Sequence, residues 1–304
     1  MTDILLCAQT VVLPDGEVIT TRARSRKSSA GPDLTKIFLG SEGTLGITVA
    51  ATLRLAPRMP ETAVGVSSFP SAHDACAAAR DMLAKGINVQ CVELLDDVML
   101  KCVNKANETD EQAIVHEEKP SLFIKFAGST KQHIEADSKL TAELLAKNGG
   151  STMKFAREPE EIERLWKARK VALWSALEYK NNENDGAWRC WTTDVCVPIG
   201  HLPELIKRVK EDVDKADLFG PFVGHVGVSH DGRVQSVASE LRFCARFQDG
   251  NFHALIIFRE NDDKMFKRVE SVVHRMIGHA QELDGTCSGE HGIGIGKKFA
   301  LTKE

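Results

Sequence analysis

The stretch GSEGTLGITVAATLRLAP at residues 40–57 joins a glycine-rich turn to an apolar strand that ends at Pro57. Glycine tolerates positive φ and carries no Cβ, so the backbone N–H groups of such a turn can approach a phosphate or a ring edge closely. Upstream, residues 10–20 read TVVLPDGEVIT, and the two β-rich runs around Pro14-Asp15-Gly16 predict a hairpin. The first 60 residues are therefore predicted to form a small β unit.

Beyond residue 60, strand-like and helix-like segments alternate. We predict strands at 63–69, 122–127, 152–155, 188–197, 222–226 and 252–258, and helices at 72–85, 130–147, 158–179, 202–216 and 262–283. Gly86 and Gly149-Gly150 supply helix stop signals. The strands lack the long apolar runs of buried parallel strands. The predicted fold class is therefore α+β, with a largely antiparallel sheet covered by helices.

Composition excludes several classes of protein. The chain has 304 residues, 42% of them hydrophobic, which suits about two globular domains with a buried core and argues against a disordered or fibrous chain. Lysine and arginine number 39 and aspartate and glutamate 43, a net charge of −4 that does not favour nucleic acid or a membrane surface as partner. Apolar runs are far shorter than the roughly 20 residues of a membrane-spanning helix, so no transmembrane segment is predicted. The first residues, MTDILLCAQT, show no targeting pattern.

One candidate site lies near the C-terminus, in GTCSGEHGIGIGKK at residues 285–298. It is not a phosphate-binding Walker loop, because Lys298 stands where that motif needs serine or threonine. Glu290 and His291 offer a metal ligand or a base on each side of the chain. Taken alone, such a pair is more often part of a solvated loop.

A second group of candidates comes from two segments, Gly224-His225 and DGNFH at residues 249–253. Each segment begins or ends a predicted strand. Imidazole and carboxylate ligands drawn from separate segments are typical of an open metal site with room for substrate. Each histidine alone is compatible with a structural role.

Six motifs, in order along the chain, resemble one protein family: GSEGTLGI at 40–47, CVELLDD at 91–97, LWKAR at 165–169, WTTDVCVPI at 191–199, GHVG with DGNFHA, and GTCSGEHGIGIGKK. The chain resembles the FAD-dependent D-lactate dehydrogenases that pass electrons to cytochrome c, within the vanillyl-alcohol-oxidase-type flavoproteins. The resemblance implies part of an FAD-binding (PCMH-type) domain at residues 1–60. It also implies an FAD-linked oxidase C-terminal domain, the substrate or cap domain, at residues 61–304.

The resemblance also assigns roles to individual residues. His225, His253 and Glu290 match the family's ligands for a divalent metal, usually zinc, manganese or iron. The loop whose backbone touches the flavin corresponds to Ser41, Glu42, Gly43, Thr44, Gly46 and Ile47.

Three further positions match the family's substrate machinery. Arg169 matches an arginine that binds the substrate carboxylate, for which the guanidinium fork is geometrically suited. The alternative is that Arg169 is an ordinary arginine on the surface of a helix. Asn251 is implied to line the site. His291 matches the general base that takes the hydroxyl proton while the C2 hydrogen leaves as hydride to the flavin.

The activity implied by the resemblance is FAD- and metal-dependent oxidation of a D-2-hydroxy acid, D-lactate to pyruvate, with electrons passed to cytochrome c. Relatives of this type are commonly mitochondrial. D-2-hydroxyglutarate and glycolate dehydrogenases are alternatives within the family. A metal-dependent hydrolase would also suit the ligands but would leave residues 40–47 unexplained.

The sequence departs from the family between the two histidines. Relatives read GHVGDGNFHA without interruption and place the histidines seven positions apart, whereas His225 and His253 are 28 apart here. The intervening Val228 to Gln248 is 21 residues, or 63 nucleotides. Because every valine codon begins with GT and one glutamine codon is CAG, we hypothesise a retained in-frame intron. A surface loop is the alternative, since each doubling of loop length costs only about 0.6 kcal/mol.

Both ends also depart from the family. Relatives carry the first half of the flavin domain before any counterpart of residue 10, and a closing segment after the counterpart of residue 304. We therefore expect a truncated gene model. The alternative to a flavoenzyme is a non-catalytic remnant that binds metal or a partner.

Overall fold

A computed structural model describes residues 6–25, 28–55, 59–181, 187–227 and 250–304. The first unit is a three-stranded antiparallel sheet in the order β2-β1-β3, with a short helix, α1, before β3. Thr10 pairs with Thr20 and Val12 with Val18, so the predicted hairpin is present. Gly16 closes it at a φ of +85°, which glycine adopts without strain. The bounds are β1 Leu6–Val12, β2 Val18–Thr20, α1 Leu34–Phe38 and β3 Ile47–Leu53.

The second unit is built on an eight-stranded sheet in the order β7-β4-β6-β5-β10-β11-β8, with β9 also paired to β11. Every strand pair of this sheet in the described part of the chain is antiparallel, which confirms the predicted fold class. Its strands are β4 Glu61–Ser68, β5 Val89–Leu95, β6 Ser121–Gly128, β7 Lys154–Ala156, β8 Trp188–Thr192, β9 Val195–Cys196, β10 Phe222–Gly227 and β11 Asn251–Arg259.

Helices cover both faces of this sheet. Side chains of α2, α4, α6 and α7 form one apolar core with one face, and side chains of α3 and α5 form a second core with the other. Burial of these apolar side chains is the main force that holds the three layers together. The helices are α2 Ala72–Ala84, α3 Asp97–Ala106, α4 Lys131–Lys147, α5 Pro159–Asn181, α6 Leu202–Lys215 and α7 Asp263–Glu282, and a 3₁₀ turn follows at Leu301–Lys303.

The structure differs from the sequence prediction in the middle of the sheet. Strand β5 and helix α3 were not predicted, because Gln90 and Glu93 interrupt the apolar pattern of the strand and the helix is only ten residues long. The strand predicted at 188–197 is two strands, and between them the buried side chains of Thr193 and Asp194 accept hydrogen bonds from the amides of Ala254 and His291. The predicted strand at 152–155 begins two residues later, at Lys154.

Two sequence hypotheses concern residues that the structure does not describe. The hypothetical intron at 228–248 lies outside the described residues, and so does Pro57, the predicted end of the apolar strand; that strand, β3, ends earlier, at Leu53. No helix within the described ranges combines the length and apolar character needed to cross a membrane.

Asp96 gives the fold a testable pH dependence. Its Oδ1 accepts hydrogen bonds from the amides of Met99 and Phe222, at 2.7 and 3.1 Å, and so caps α3. Among the described residues its buried Oδ2 has no hydrogen-bond partner, and burial raises the pKa of the carboxyl to about 7. Because the folded state binds this proton more tightly than the unfolded chain, its contribution is fully present below about pH 4 and is lost as the pH rises to about 7.

Asp96→Asn is therefore expected to flatten the fall in stability over that pH range. Asparagine keeps the capping oxygen and does not ionise. In urea unfolding, the wild-type free energy of unfolding relative to Asp96→Asn should fall by on the order of 2–4 kcal/mol between pH 4 and pH 7. Parallel pH profiles for the two proteins would show that Asp96 is ionised throughout.

Candidate metal and substrate site

Two histidines lie on adjacent strands of the large sheet. In the antiparallel pair β10 and β11, Val223 is opposite His253 and His225 is opposite Asn251. Since side chains alternate along a strand, His225, Asn251 and His253 all project to the face covered by α3 and α5. The centroids of the two imidazole rings are 5.2 Å apart. The 28-position separation in sequence thus does not keep the two rings apart.

Glu290 completes the three predicted metal ligands. It lies in the segment that follows α7, and its Oε1 is 3.2 Å from Nε2 of His253 and 3.8 Å from Nε2 of His225. The hydrogen bond from His253 lowers the pKa of Glu290. Burial alone would lower the pKa of His253, but its bonds to Glu290 and to the Thr193 carbonyl raise it. The three groups therefore form one coupled electrostatic cluster.

The second ring nitrogen of each histidine faces a group that orients the ring. Nδ1 of His253 donates to the carbonyl of Thr193 at 2.7 Å. Nδ1 of His225 lies 2.6 Å from Oε2 of Glu93, but this contact lacks hydrogen-bond alignment. Imidazoles that bind metals commonly direct the second nitrogen to a carbonyl or carboxylate, which leaves the Nε2 lone pair for the ion. His253 has this arrangement, whereas Nδ1 of His225 only contacts the Glu93 carboxylate.

The donor set fits a divalent ion. Ligand atoms about 2.1 Å from a tetrahedral ion lie about 3.4 Å from one another. The distances of 3.2 and 3.8 Å from Glu290 to the two histidines bracket that value. Two imidazoles and one carboxylate are also ligands that zinc, manganese and iron accept. His225 and His253 thus each lie at a distance from Glu290 that a shared ion would allow.

A second, overlapping set of possible ligands exists. Oxygen or nitrogen atoms of Asp194, His253, Glu290 and His291 lie within 4.8 Å of one another. Asp194 is the less suitable ligand, because its carboxylate already accepts amide hydrogen bonds from Glu290 at 3.0 Å and His291 at 2.8 Å. His225 is absent from this set, so the two sets share His253 and Glu290 and differ in their other ligands.

Arg169 approaches the cluster from α5. Its Nε donates to Oε2 of Glu93 at 3.0 Å, and the same oxygen contacts His225. Burial alone would raise the pKa of Glu93, but His225 and Arg169 lower it to about 2. Burial alone would lower the pKa of the Arg169 guanidinium, but Glu93 raises it. Arg169 is thus a part-buried cation at the site and is not a helix-surface arginine.

Asp194 organises the segment that carries Glu290 and His291. Besides the two amides, its carboxylate accepts a hydrogen bond from Ser288 Oγ at 3.0 Å and lies 3.4 Å from Lys297 Nζ. Burial alone would raise the pKa of Asp194, but these donors lower it. A buried carboxylate with several donors is rigidly held, so this segment has a fixed anchor on the β8–β9 turn.

The two remaining predicted site residues, His291 and Asn251, differ in their exposure to solvent. His291 is at the surface, with 59% of its side chain exposed, and its Nε2 lies 3.8 Å from Oε1 of Glu290. Asn251 is buried, and its side-chain oxygen accepts from the amide of Phe252 at 2.9 Å. Its side chain also contacts His253. The exposed ring of His291 therefore forms the solvent side of the cluster.

The predicted flavin loop follows α1 and leads into β3. Gly40 and Gly43 have φ values of +75° and +81°, and Ser41 and Thr44 bond within the turn to the carbonyls of Phe38 and Ser41. A Cβ on Gly46 would lie 2.7 Å from Val11, so this glycine allows the loop to pack against β1. Ile47 is exposed. Residues 42–45 are exposed as well, whereas Gly46 is buried.

Sequence reasoning missed two acids at the site, Glu93 and Asp194. Both stood in quoted motifs, CVELLDD and WTTDVCVPI, but were given no role. The available signal was an acidic residue within an apolar stretch, because an ionised carboxylate is rarely buried without partners. In the structure both are buried, with Glu93 at 7% exposure and Asp194 at 2%.

The deciding comparison is with protein-family models. The family described as FAD linked oxidases, C-terminal domain, matches residues 58–304. The chain belongs to this family. The matched range contains the motifs from CVELLDD at 91–97 to GTCSGEHGIGIGKK at 285–298.

Relatives with known names support the same placement. The chain is 37% identical over 294 residues to "D-lactate dehydrogenase [cytochrome], mitochondrial" of Arabidopsis thaliana, which covers 97% of this chain and 46% of the relative. It is 39% identical over 298 residues to "Probable D-lactate dehydrogenase, mitochondrial" of Danio rerio, covering 97% and 53%. The chain thus spans about half the length of the curated relatives it matches.

A solved structure supports the fold of this FAD-linked oxidase chain. The 4-ethylphenol oxidase from Gulosibacter chungangensis, in its isoeugenol complex, aligns with a TM-score of 0.63 at 16% identity. The alignment covers 92% of this chain and 57% of that one. At this identity the likeness concerns the fold alone.

Proposed function

We propose that the protein oxidises D-lactate to pyruvate with FAD and a divalent metal ion, and that cytochrome c receives the electrons in mitochondria. The names of the similar proteins from Arabidopsis thaliana and Danio rerio support the substrate and the compartment. The first of these names supports the acceptor. In this proposal residues 1–60 belong to the flavin-binding domain and residues 61–304 to the substrate domain.

One observation carries the proposal: His225, His253 and Glu290 lie together, Arg169 reaches them through Glu93, and His291 lies at the open side. A 2-hydroxy acid presents a carboxylate next to a hydroxyl. The site offers a guanidinium beside a group of metal ligands and a base. This pairing of functions matches the two polar groups of the substrate.

Each residue has a distinct task in the proposed reaction. Arg169 uses Nε for Glu93, so its other guanidinium donors would hold the substrate carboxylate. His291 would take the hydroxyl proton at Nε2, the ring nitrogen 3.8 Å from Glu290. His225, His253 and Glu290 would hold the ion, and Asn251 would line the pocket beside them. Glu93 and Asp194 orient these groups.

The cofactors supply chemistry that these side chains lack. Bound FAD accepts the electron pair and hydrogen from C2 of the substrate, and a bound divalent ion makes the substrate hydroxyl more acidic. Ser41, Glu42, Gly43, Thr44, Gly46 and Ile47 form the loop proposed to face the flavin. Oxidation to pyruvate removes two electrons and two protons from D-lactate. One proton would pass to His291, and the other would leave C2 together with the electron pair.

The test is dye reduction by the purified chain supplied with FAD and with zinc or manganese. We expect turnover with D-lactate to exceed turnover with L-lactate, glycolate and D-2-hydroxyglutarate. Cytochrome c should replace the dye as acceptor. Protein that binds the metal but not FAD, and reduces no dye, would instead favour a non-catalytic remnant. A preference for D-2-hydroxyglutarate or glycolate would reassign the substrate.

A further inference from the structure

The segment that carries Glu290 and His291 is held from two sides. Asp194 accepts its amides at 290 and 291, as described above. Beyond Gly292, the carboxylate of Glu42 accepts two more amides: Oε1 from Ile293 at 2.6 Å and Oε2 from Gly294 at 2.8 Å. Each carboxylate oxygen of Glu42 thus serves one backbone N–H group.

The backbone at residues 292–294 is shaped for this contact. Gly292 and Gly294 have φ values of +82° and +50°. Consecutive N–H groups in such a conformation can point to one side and form a concavity that binds an anionic group. A Cβ on Gly292 would lie 2.6 Å from Oε1 of Glu42, so only glycine permits the approach.

Glu42 itself adopts an unfavourable backbone conformation. Its φ is +49°, in the left-handed region that non-glycine residues occupy infrequently. Such a conformation persists where surrounding contacts over-determine it. The two amide hydrogen bonds to its carboxylate are contacts of that kind.

The contact joins two distant motifs. Glu42 and Ile293 are 251 positions apart in the chain. One lies in the 40–47 loop of the small sheet, and the other lies three residues after Glu290. Both of its hydrogen bonds are charge-assisted, which makes them stronger than bonds between neutral groups.

We propose that Glu42 is a positioning residue, whose carboxylate holds the backbone at 293 and 294 and thereby fixes Glu290 and His291 beside the 40–47 loop. This role belongs to the side chain and is additional to any backbone contact with flavin. The fixing of the segment stands on the contacts alone, while its consequence for the metal rests on the proposed function.

The test compares Glu42→Gln and Glu42→Ala with the wild-type chain. Amide hydrogen exchange at residues 293 and 294, followed by NMR, should become about tenfold faster in Glu42→Ala. Glutamine keeps one acceptor oxygen, so Glu42→Gln should retain protection at one of the two amides. Glu17→Gln, an exposed carboxylate on the same small sheet, is the matched control and should leave both exchange rates unchanged.

Titration with zinc or manganese supplies a second measurement. Loss of a group that orients metal ligands typically lowers metal affinity about 10- to 100-fold, and Glu42→Ala should fall near the lower end of this range. Exchange at 293 and 294 that is the same in wild type and Glu42→Ala would overturn the proposal. Should Glu42→Ala fail to fold, the asymmetric loss of protection in Glu42→Gln decides the question.

The two proposals fail differently. If the wild-type chain binds no divalent ion while exchange at 293 and 294 still depends on Glu42, the proposed function fails and the fixing of the segment stands. The other outcome is that Glu42→Ala binds metal normally while exchange at both amides is faster. In that case Glu42 holds the segment, but the metal ligands are positioned without it, and the positioning role is overturned.

Discussion

His253→Ala is expected to lower the affinity of the chain for zinc or manganese by at least about 100-fold, the upper end of the range for loss of a group that only supports a ligand. His253 contacts Glu290 through Nε2 at 3.2 Å and is oriented by Thr193 through Nδ1 at 2.7 Å. Removal of the ring leaves two of the three predicted ligands. Turnover with D-lactate should be lost with the metal.

His279→Ala is the matched control for this variant. His279 also contacts a carboxylate, Asp212 at 2.9 Å, but this pair joins α6 to α7, away from the three predicted ligands. Its replacement should leave metal affinity unchanged. An identical titration curve for His253→Ala and wild type would exclude His253 as a ligand.

His291→Ala is expected to lower kcat by roughly 10²- to 10⁴-fold, the usual contribution of a general base. Its imidazole is 59% exposed at the open side of the cluster and lies 3.8 Å from Glu290. Because His225, His253 and Glu290 remain, metal affinity should change little. Rapid-mixing and steady-state kinetics of D-lactate oxidation measure the loss.

His274→Ala serves as the control for His291→Ala, because His274 lies in α7 with its ring tilted against that of Phe299. It should retain wild-type kcat. A His291→Ala protein with unchanged kcat would refute the role of His291 as base. A large loss of metal affinity in His291→Ala would instead assign it to the ligand set that includes Asp194.

Much of the fold was predictable because the local signals agree with the final packing. Capping side chains at Ser71, Thr130 and Asp262 start their helices where the pattern predicted. Positive φ at Gly86 and Gly149 marks two helix ends. Strand β5 was missed because its polar Glu93 belongs to the site and contradicts the apolar pattern of a buried strand.

The sequence motifs name the residues that meet at the candidate site, but not the hydrogen bonds that hold their segments in place. The motifs name His225, His253, Glu290 and His291, and the structure brings all four together. The contacts of Asp194 and Glu42 with backbone amides have no sequence pattern, because they depend on how distant segments meet. Antiparallel pairing of β10 with β11 also explains how two histidines remain adjacent despite the 28-position separation.

The reaction proposed for this cluster is the metal-assisted oxidation of a 2-hydroxy acid. The most direct measurement is the absorbance of flavin bound to the purified chain, followed without oxygen as D-lactate is added to metal-loaded and metal-stripped protein. We expect D-lactate to reduce the bound flavin, and so to bleach its absorbance, rapidly in the metal-loaded protein. Removal of the metal should largely prevent this reduction. Flavin that stays oxidised in the metal-loaded protein, or bleaches equally fast after metal removal, would contradict it.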